Sequence, residues 1–207
     1  MGLPQPRLDD EFPSITAVLA ENERLKRELA VARARVGELE ARADIGPLLD
    51  ILNRRGFERE LKRALSHVKR YGTQAALMFV DLDGFKGIND RYGHGAGDLL
   101  LKAVARELIG SVRASDIVGR IGGDEFGVLI WRLEGPQATK KARELEAKIA
   151  SVGIPHGKTR IKVAASIGVA PLVEDANAAD IIAAADQAMY ARKDARRGLP
   201  AAVSWGE

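Results

Sequence analysis

The chain has 207 residues, an apolar fraction of 46% and nearly balanced charge, with 32 Lys and Arg against 29 Asp and Glu for a net +3. It has no cysteine, which excludes a disulfide framework and any thiolate metal site and fits a reducing cytoplasm. No apolar run approaches the roughly 18 residues of a membrane helix, residues 1–12 are too polar and acidic for a secretory signal peptide, and the mixed charges demand no nucleic-acid partner.

Residues 15–43 differ from everything after them: a single Gly, no Pro, no aromatic residue. With Ile15 at position a, the a positions are Ile15, Asn22, Leu29, Val36 and Ala43, and the d positions are Val18, Leu25, Ala32 and Leu39. A sustained heptad predicts a coiled coil. The flanking charges test the register. In a parallel dimer a g residue faces the e residue five positions later on the partner, and here those pairs are Glu21 with Lys26, Glu28 with Arg33 and Arg35 with Glu40, all opposite in sign. An Asn at a single a position favours an in-register parallel pair. A lone amphipathic helix docked on its own domain would explain the apolar stripe but not the matched charges. Ser14 is the predicted N-cap, and Asp44-Ile45-Gly46-Pro47 ends the arm as a predicted hinge. The expected organisation is an N-terminal segment over 1–44, a domain over 45–198 and a tail over 199–207.

Within the domain, Phe57 to Tyr71 has helical spacing, and Ala75–Val80 reads as a buried strand stopping at Asp81. Ala96–Ile109 is a predicted helix. Ile117–Ile121 and Phe126–Trp131 are strands joined by Gly-Gly-Asp-Glu as a hairpin. Gln137–Ile149 is a helix, Ile161–Ala170 a strand and Ala178–Lys193 a final helix. The fold class is therefore α+β. The order β-α-β-β-α-β predicts a ferredoxin-like, palm-type sheet with its helices on one face.

The acidic residues fall at strand ends. Asp81-Leu82-Asp83 closes one apolar run and Gly122-Gly123-Asp124-Glu125-Phe126 opens another. Two strands ending side by side would bring Asp81 and Asp124 to one divalent cation, with the Leu82 carbonyl as a third oxygen, as in a magnesium site for a nucleoside triphosphate. Gly122 and Gly123 suit a two-residue turn at positive φ and a close approach of phosphate. Glu125 stands beside the metal site, placed to help activate an attacking hydroxyl.

Several ordered motifs now carry a resemblance: Asp81-Leu82-Asp83-Gly84-Phe85-Lys86-Gly87-Ile88-Asn89-Asp90, Tyr92-Gly93-His94, Gly97-Asp98, Gly122–Phe126, Ser166-Ile167-Gly168-Val169-Ala170 and Ala184–Lys193. Over residues 45–198 the chain resembles the GGDEF family of diguanylate cyclases. The resemblance implies condensation of two GTP into cyclic di-GMP and two pyrophosphates across a homodimer, with Mg2+ or Mn2+ as cofactor. By position it implies Asp81, Leu82 and Asp124 as metal ligands, Asp124 and Glu125 as catalytic, and Asn89 and Asp98 as the guanine-reading pair. His94 lies in the same nucleotide segment, with Gly122 and Gly123 against the substrate. Lys86, Lys193 and Arg197 match phosphate-binding positions. Arg113-Ala114-Ser115-Asp116 resembles the family's R-x-x-D inhibitory site, implying cyclic di-GMP bound at Arg113 and Asp116 as product and inhibitor. The chain departs from the family at its start. Where the pattern D-x-L-T-G-L-x-N-R-R is usual, Gly46 to Arg55 lacks the Asp, Thr and Gly, and the closing G-R-N is Arg196-Arg197-Gly198. Other functions stand beside this one: a GTP- or cyclic di-GMP-binding module without turnover, a scaffold whose function is the coiled coil, and a cyclase using ATP, which Asp98 disfavours.

Overall fold

Residues Ile15–Arg42 form one 28-residue helix, α1, in the computed structural model, which describes residues 15–42, 44–133, 135–157 and 159–197. The chain divides into two units, Met1–Arg42 and Ala43–Glu207. The predicted cap at Ser14, the heptad position at Ala43, Gly198 and the tail lie outside the described residues. Along α1 the heptad seam faces solvent, with Ile15 80% and Leu39 61% exposed. Ion pairs such as Glu21–Arg24 at 2.8 Å and Glu23–Lys26 at 3.0 Å run along the helix, each worth only about 0.2–0.5 kcal/mol.

The second unit opens with a closed loop. Asn53 N–H donates to the Asp44 carbonyl at 2.8 Å and Gly46 N–H to the Ile51 carbonyl at 2.9 Å, with Asp50 at φ 54 between them. The Asp44 carboxylate pairs with Arg55 at 3.3 Å and with Arg59. Gly46-Pro47 is therefore part of a pinned loop and not the free hinge its composition predicts. The acid missing at Gly46 is supplied from Asp44, while Asp50 takes the left-handed conformation usual for glycine.

Among the described residues five helices and six strands follow: α2 (Arg54–Tyr71), β1 (Ala75–Asp83), α3 (Phe85–Tyr92), α4 (His94–Gly110), β2 (Ile117–Arg120), β3 (Glu125–Trp131), α5 (Gly135–Ser151), β4 (Gly153–His156), β5 (Thr159–Lys162), β6 (Ala164–Pro171) and α6 (Ala178–Arg197). Asn53 caps α2 by accepting from Gly56 N–H at 3.0 Å, and Gly72 ends the helix at φ 62. The main sheet has the order β2-β3-β1-β6, antiparallel throughout, which is the ferredoxin-like arrangement.

Helices cover both faces of this sheet, correcting the one-sided expectation. β1 is buried at every position from Ala75 to Val80. Met78, Val80 and Leu82 face a core shared with α4 and α5, and Leu77 and Phe79 a second core shared with α2 and α6. An unbroken apolar run, without alternation, is the sequence mark of a strand covered twice. The predicted strand Ile161–Ala170 is two, β5 and β6, parted at Val163; β5 pairs with β4 in a separate ribbon turning at Gly157 with φ 57. Among the described residues no helix is long and apolar enough to cross a membrane.

The contact of α6 with β6 is backbone on backbone. A Cβ at Gly168 would meet the Ala185 carbonyl and the Met189 amide. Gly168→Val should therefore lower the melting temperature by about 10 °C, corresponding to roughly 3 kcal/mol; a thermal melt within about 2 °C of the parent would refute this packing.

Candidate active site

The strand register brings the acidic motifs together. Asp81 lies opposite Glu125 on β3 and Ser166 on β6. The next residue, Leu82, donates its N–H to the Asp124 carbonyl at 3.2 Å, so the end of β1 meets the β2–β3 turn directly. Asp83 accepts from the Ser166 hydroxyl at 3.0 Å. Lys193 of α6 reaches into this group, bonding Asp81 and lying 3.7 Å from Asp83.

The β2–β3 turn is longer than a two-residue hairpin. Ile121 and Gly122 N–H both donate to the Glu125 carbonyl, at 2.9 and 3.3 Å. Neither Gly122 nor Gly123 has positive φ, which corrects the turn expectation. A Cβ at Gly122 would meet the Glu125 carboxylate, the movable end of a side chain that folds back over the turn. Arg120 clamps the turn from its start, donating to the Gly122 carbonyl at 3.1 Å and to the Gly123 carbonyl at 2.6 Å. Burial pulls the Arg120 guanidinium below its ordinary value, opposed by the fields of Asp98 and Asp124. Arg120 therefore links the turn electrostatically to α4. Sequence reasoning missed it; a cation one turn before two glycine carbonyls was the available signal.

Glu125 holds its proton more tightly than an ordinary glutamate, first because of burial and then because of the neighbouring Asp124, Asp81 and Asp186 carboxylates, with Arg54 opposing. A carboxyl raised on folding binds a proton better in the native protein than in the unfolded chain. Its contribution favours the fold at low pH and is lost as pH rises through the native value. Glu125→Gln should thus raise the melting temperature at neutral pH, and the gain should vanish below the ordinary glutamate range, where both side chains are neutral. A melt series in which Glu125→Gln is less stable at every pH would contradict the crowding of carboxylates.

The other predicted residues divide into two places. Left-handed glycines, Gly84 at φ 71 and Gly93 at φ 82, turn the chain from β1 into α3 and from α3 into α4. Asn89 of α3 packs against Gly97 of α4, where a Cβ would overlap Asn89 Oδ1. That oxygen is buried with no hydrogen-bond partner among the described residues. Asp98 is exposed on α4, as are Lys86 on α3 and His94 at the start of α4. The backbone of Arg197 ends α6; its side chain lies outside the described residues. Arg113 and Asp116 stand apart, before β2. The Asp116 carboxylate accepts from Arg113 N–H at 2.9 Å and Trp131 N–H at 3.1 Å, fixing the turn. The exposed Arg113 lines a cleft of about 710 Å³ together with Arg63, His67, Trp131 and Arg132.

The carboxylates thus lie at adjoining ends of an antiparallel sheet, beside an acidic turn clamped by arginine, and the α3–α4 pair carries a buried amide oxygen. The family described as "Diguanylate cyclase, GGDEF domain" matches residues 43–198, and the chain belongs to it. It is 40% identical over 154 residues to the diguanylate cyclase TpbB of Pseudomonas aeruginosa, covering 73% of this chain and 35% of that protein. The chain thus spans about a third of the length of that curated relative. The solved GGDEF domain of TpbB aligns with a TM-score of 0.67 at 37% identity, covering 73% of this chain and 89% of that one. The coiled coil and GGDEF domain of DgcB from Caulobacter crescentus, in complex with c-di-GMP, aligns with a TM-score of 0.69 at 25% identity, covering 86% and 95%.

Proposed function

We propose that this chain condenses two GTP into cyclic di-GMP and two pyrophosphates. The observation that carries the reading is the meeting of Asp81, Asp124 and Glu125 at adjoining strand ends in a domain of this family. The 3′-hydroxyl oxygen of each GTP bonds to the α-phosphorus of the other, the bond to pyrophosphate breaks, and the hydroxyl proton leaves. Glu125, partly buried and crowded by carboxylates and so a stronger base than an ordinary glutamate, takes it. The two half-reactions need two domains face to face, which a parallel dimer through residues 15–43 provides; the coiled coil in the DgcB structure supports this.

The donor set fits a hard divalent cation, Mg2+ or Mn2+: the Asp81 and Asp124 carboxylates with the Leu82 carbonyl. Among the described residues no group of three or more His, Asp or Glu side chains could hold a metal ion by itself. When bound, such an ion neutralises charge on the phosphates. Asn89 and Asp98 read guanine; the Asn89 oxygen, without a partner among the described residues, is the sort of group a base N–H satisfies, and a carboxylate at Asp98 accepts from the adjoining N1–H and N2–H of guanine, whereas adenine sets an unprotonated N1 against it. Gly122 and Gly123 border the phosphates, Lys86, Lys193 and Arg197 pair with them, and His94 borders the base. Arg113 and Asp116 hold cyclic di-GMP as inhibitor. GTP supply places the work in the cytoplasm. Incubation with GTP and Mg2+ should yield cyclic di-GMP with two pyrophosphates per product. Binding of GTP or cyclic di-GMP without turnover would replace this reading with a sensor.

A further inference from the structure

Among the described residues Glu146 is the only charged one that is buried, at 5% exposed, and the chemistry above makes no use of it. It lies on α5, which packs on one face of the sheet, and its carboxylate stands at the sheet edge, where it meets a side chain from α6 on the other face. One oxygen accepts Ile167 N–H at 2.9 Å, the other Arg192 of α6, also at 2.9 Å. β6 is the last strand of the sheet, so Glu146 both covers a sheet edge and ties α5 to α6.

Arg192 directly precedes Lys193. From one turn of α6, Arg192 is held toward α5 and Lys193 toward Asp81 and Asp83. A lysine on a flexible four-carbon stem is a well-aimed phosphate ligand only if its backbone is fixed, and helix ends fray unless something holds them. Gly168 fixes the middle of α6; the Glu146–Arg192 pair fixes its last turns, where Lys193 sits.

We propose that Glu146, acting through Arg192, is a positioning residue for Lys193 and so sets how tightly the triphosphate of GTP is held. This rests on the assignment of Lys193 as a phosphate cation. The test uses the full chain. Glu146→Gln keeps an acceptor for Ile167 N–H and removes the charge that holds Arg192. Arg192→Gln removes the other half at a more exposed position and carries the test should Glu146→Gln fail to fold. Readouts are KM and kcat for GTP, equilibrium binding of a non-hydrolysable GTP analogue, and the melting temperature. Both variants should raise KM and the analogue Kd about tenfold with kcat within about twofold, and Arg192→Lys should recover part of the loss. In a Lys193→Met background, Glu146→Gln should add nothing further. An equal rise in KM with and without Lys193, or a lowered melting temperature at unchanged KM, would overturn the proposal as plain scaffolding. An unchanged KM in Lys193→Met alone would sink the phosphate assignment itself, and the proposal with it.

Discussion

Asp124→Asn should lower the rate of cyclic di-GMP formation by about 10³-fold, equivalent to roughly 4 kcal/mol of transition-state stabilisation. The substitution keeps the shape of the side chain and its backbone bond to Leu82. It removes one of the two carboxylate charges that would face a divalent cation. The concentration of Mg2+ giving half-maximal rate should rise as well. Stability should change little: Asp124 repels Glu125 but attracts Arg120, and neutralising it removes both effects. A folded variant with a lost rate separates chemistry from unfolding. Asp124→Asn retaining more than about a tenth of the parent rate at saturating Mg2+ would remove the metal role from this carboxylate.

The second large effect concerns the arm. Leu25→Pro introduces a residue that costs about 3 kcal/mol or more inside a helix, at a d position of the seam. If the seam joins two chains, it holds one domain near the other at an effective concentration near ~1 mM, and the parent's rate per protomer should stay flat down to ~10 nM protein. In Leu25→Pro the rate per protomer should fall in proportion to dilution, a loss of about 10³-fold at ~1 μM. Val31→Lys provides the control. Val31 is as apolar and is 68% exposed, but it occupies a c position off the seam, so its rate per protomer should match the parent's. A dilution series in which Leu25→Pro and the parent coincide would show that the arm does not join the domains.

Much of this was legible in the chain. The acids Asp81 and Glu125 could be read because apolar runs stop abruptly at them, although β1 runs on to Asp83, and the antiparallel register then left those two acids opposite each other. What escaped had physical reasons. α3 is eight residues between two left-handed glycines, too short for a helical period, and is rich in turn-forming Gly, Asn and Asp. The break at Val163 is invisible to patterning because the residue is itself buried. The shift of the loop's acid to Asp44 could not be seen by matching a pattern position by position; it required the arginines Arg55 and Arg59 to be seen in space. The Glu146–Arg192 tie joins residues far apart in sequence and leaves no local signature, whereas the Arg120 clamp left only the weak one of a cation just before two glycines.

β1 runs through the interior of the sheet between β3 and β6, walled by side chains above and below, and its far end holds Asp81. The amide-bearing helix pair, in contrast, hangs from that strand through Gly84 and bends again at Gly93. A nucleotide lying across both would thus have its reacting phosphates against a doubly walled strand and its base against helices that this strand reaches through a single glycine joint. Bond formation and base capture would then fall to separate elements, so that a substitution in α3 could alter one without moving the other.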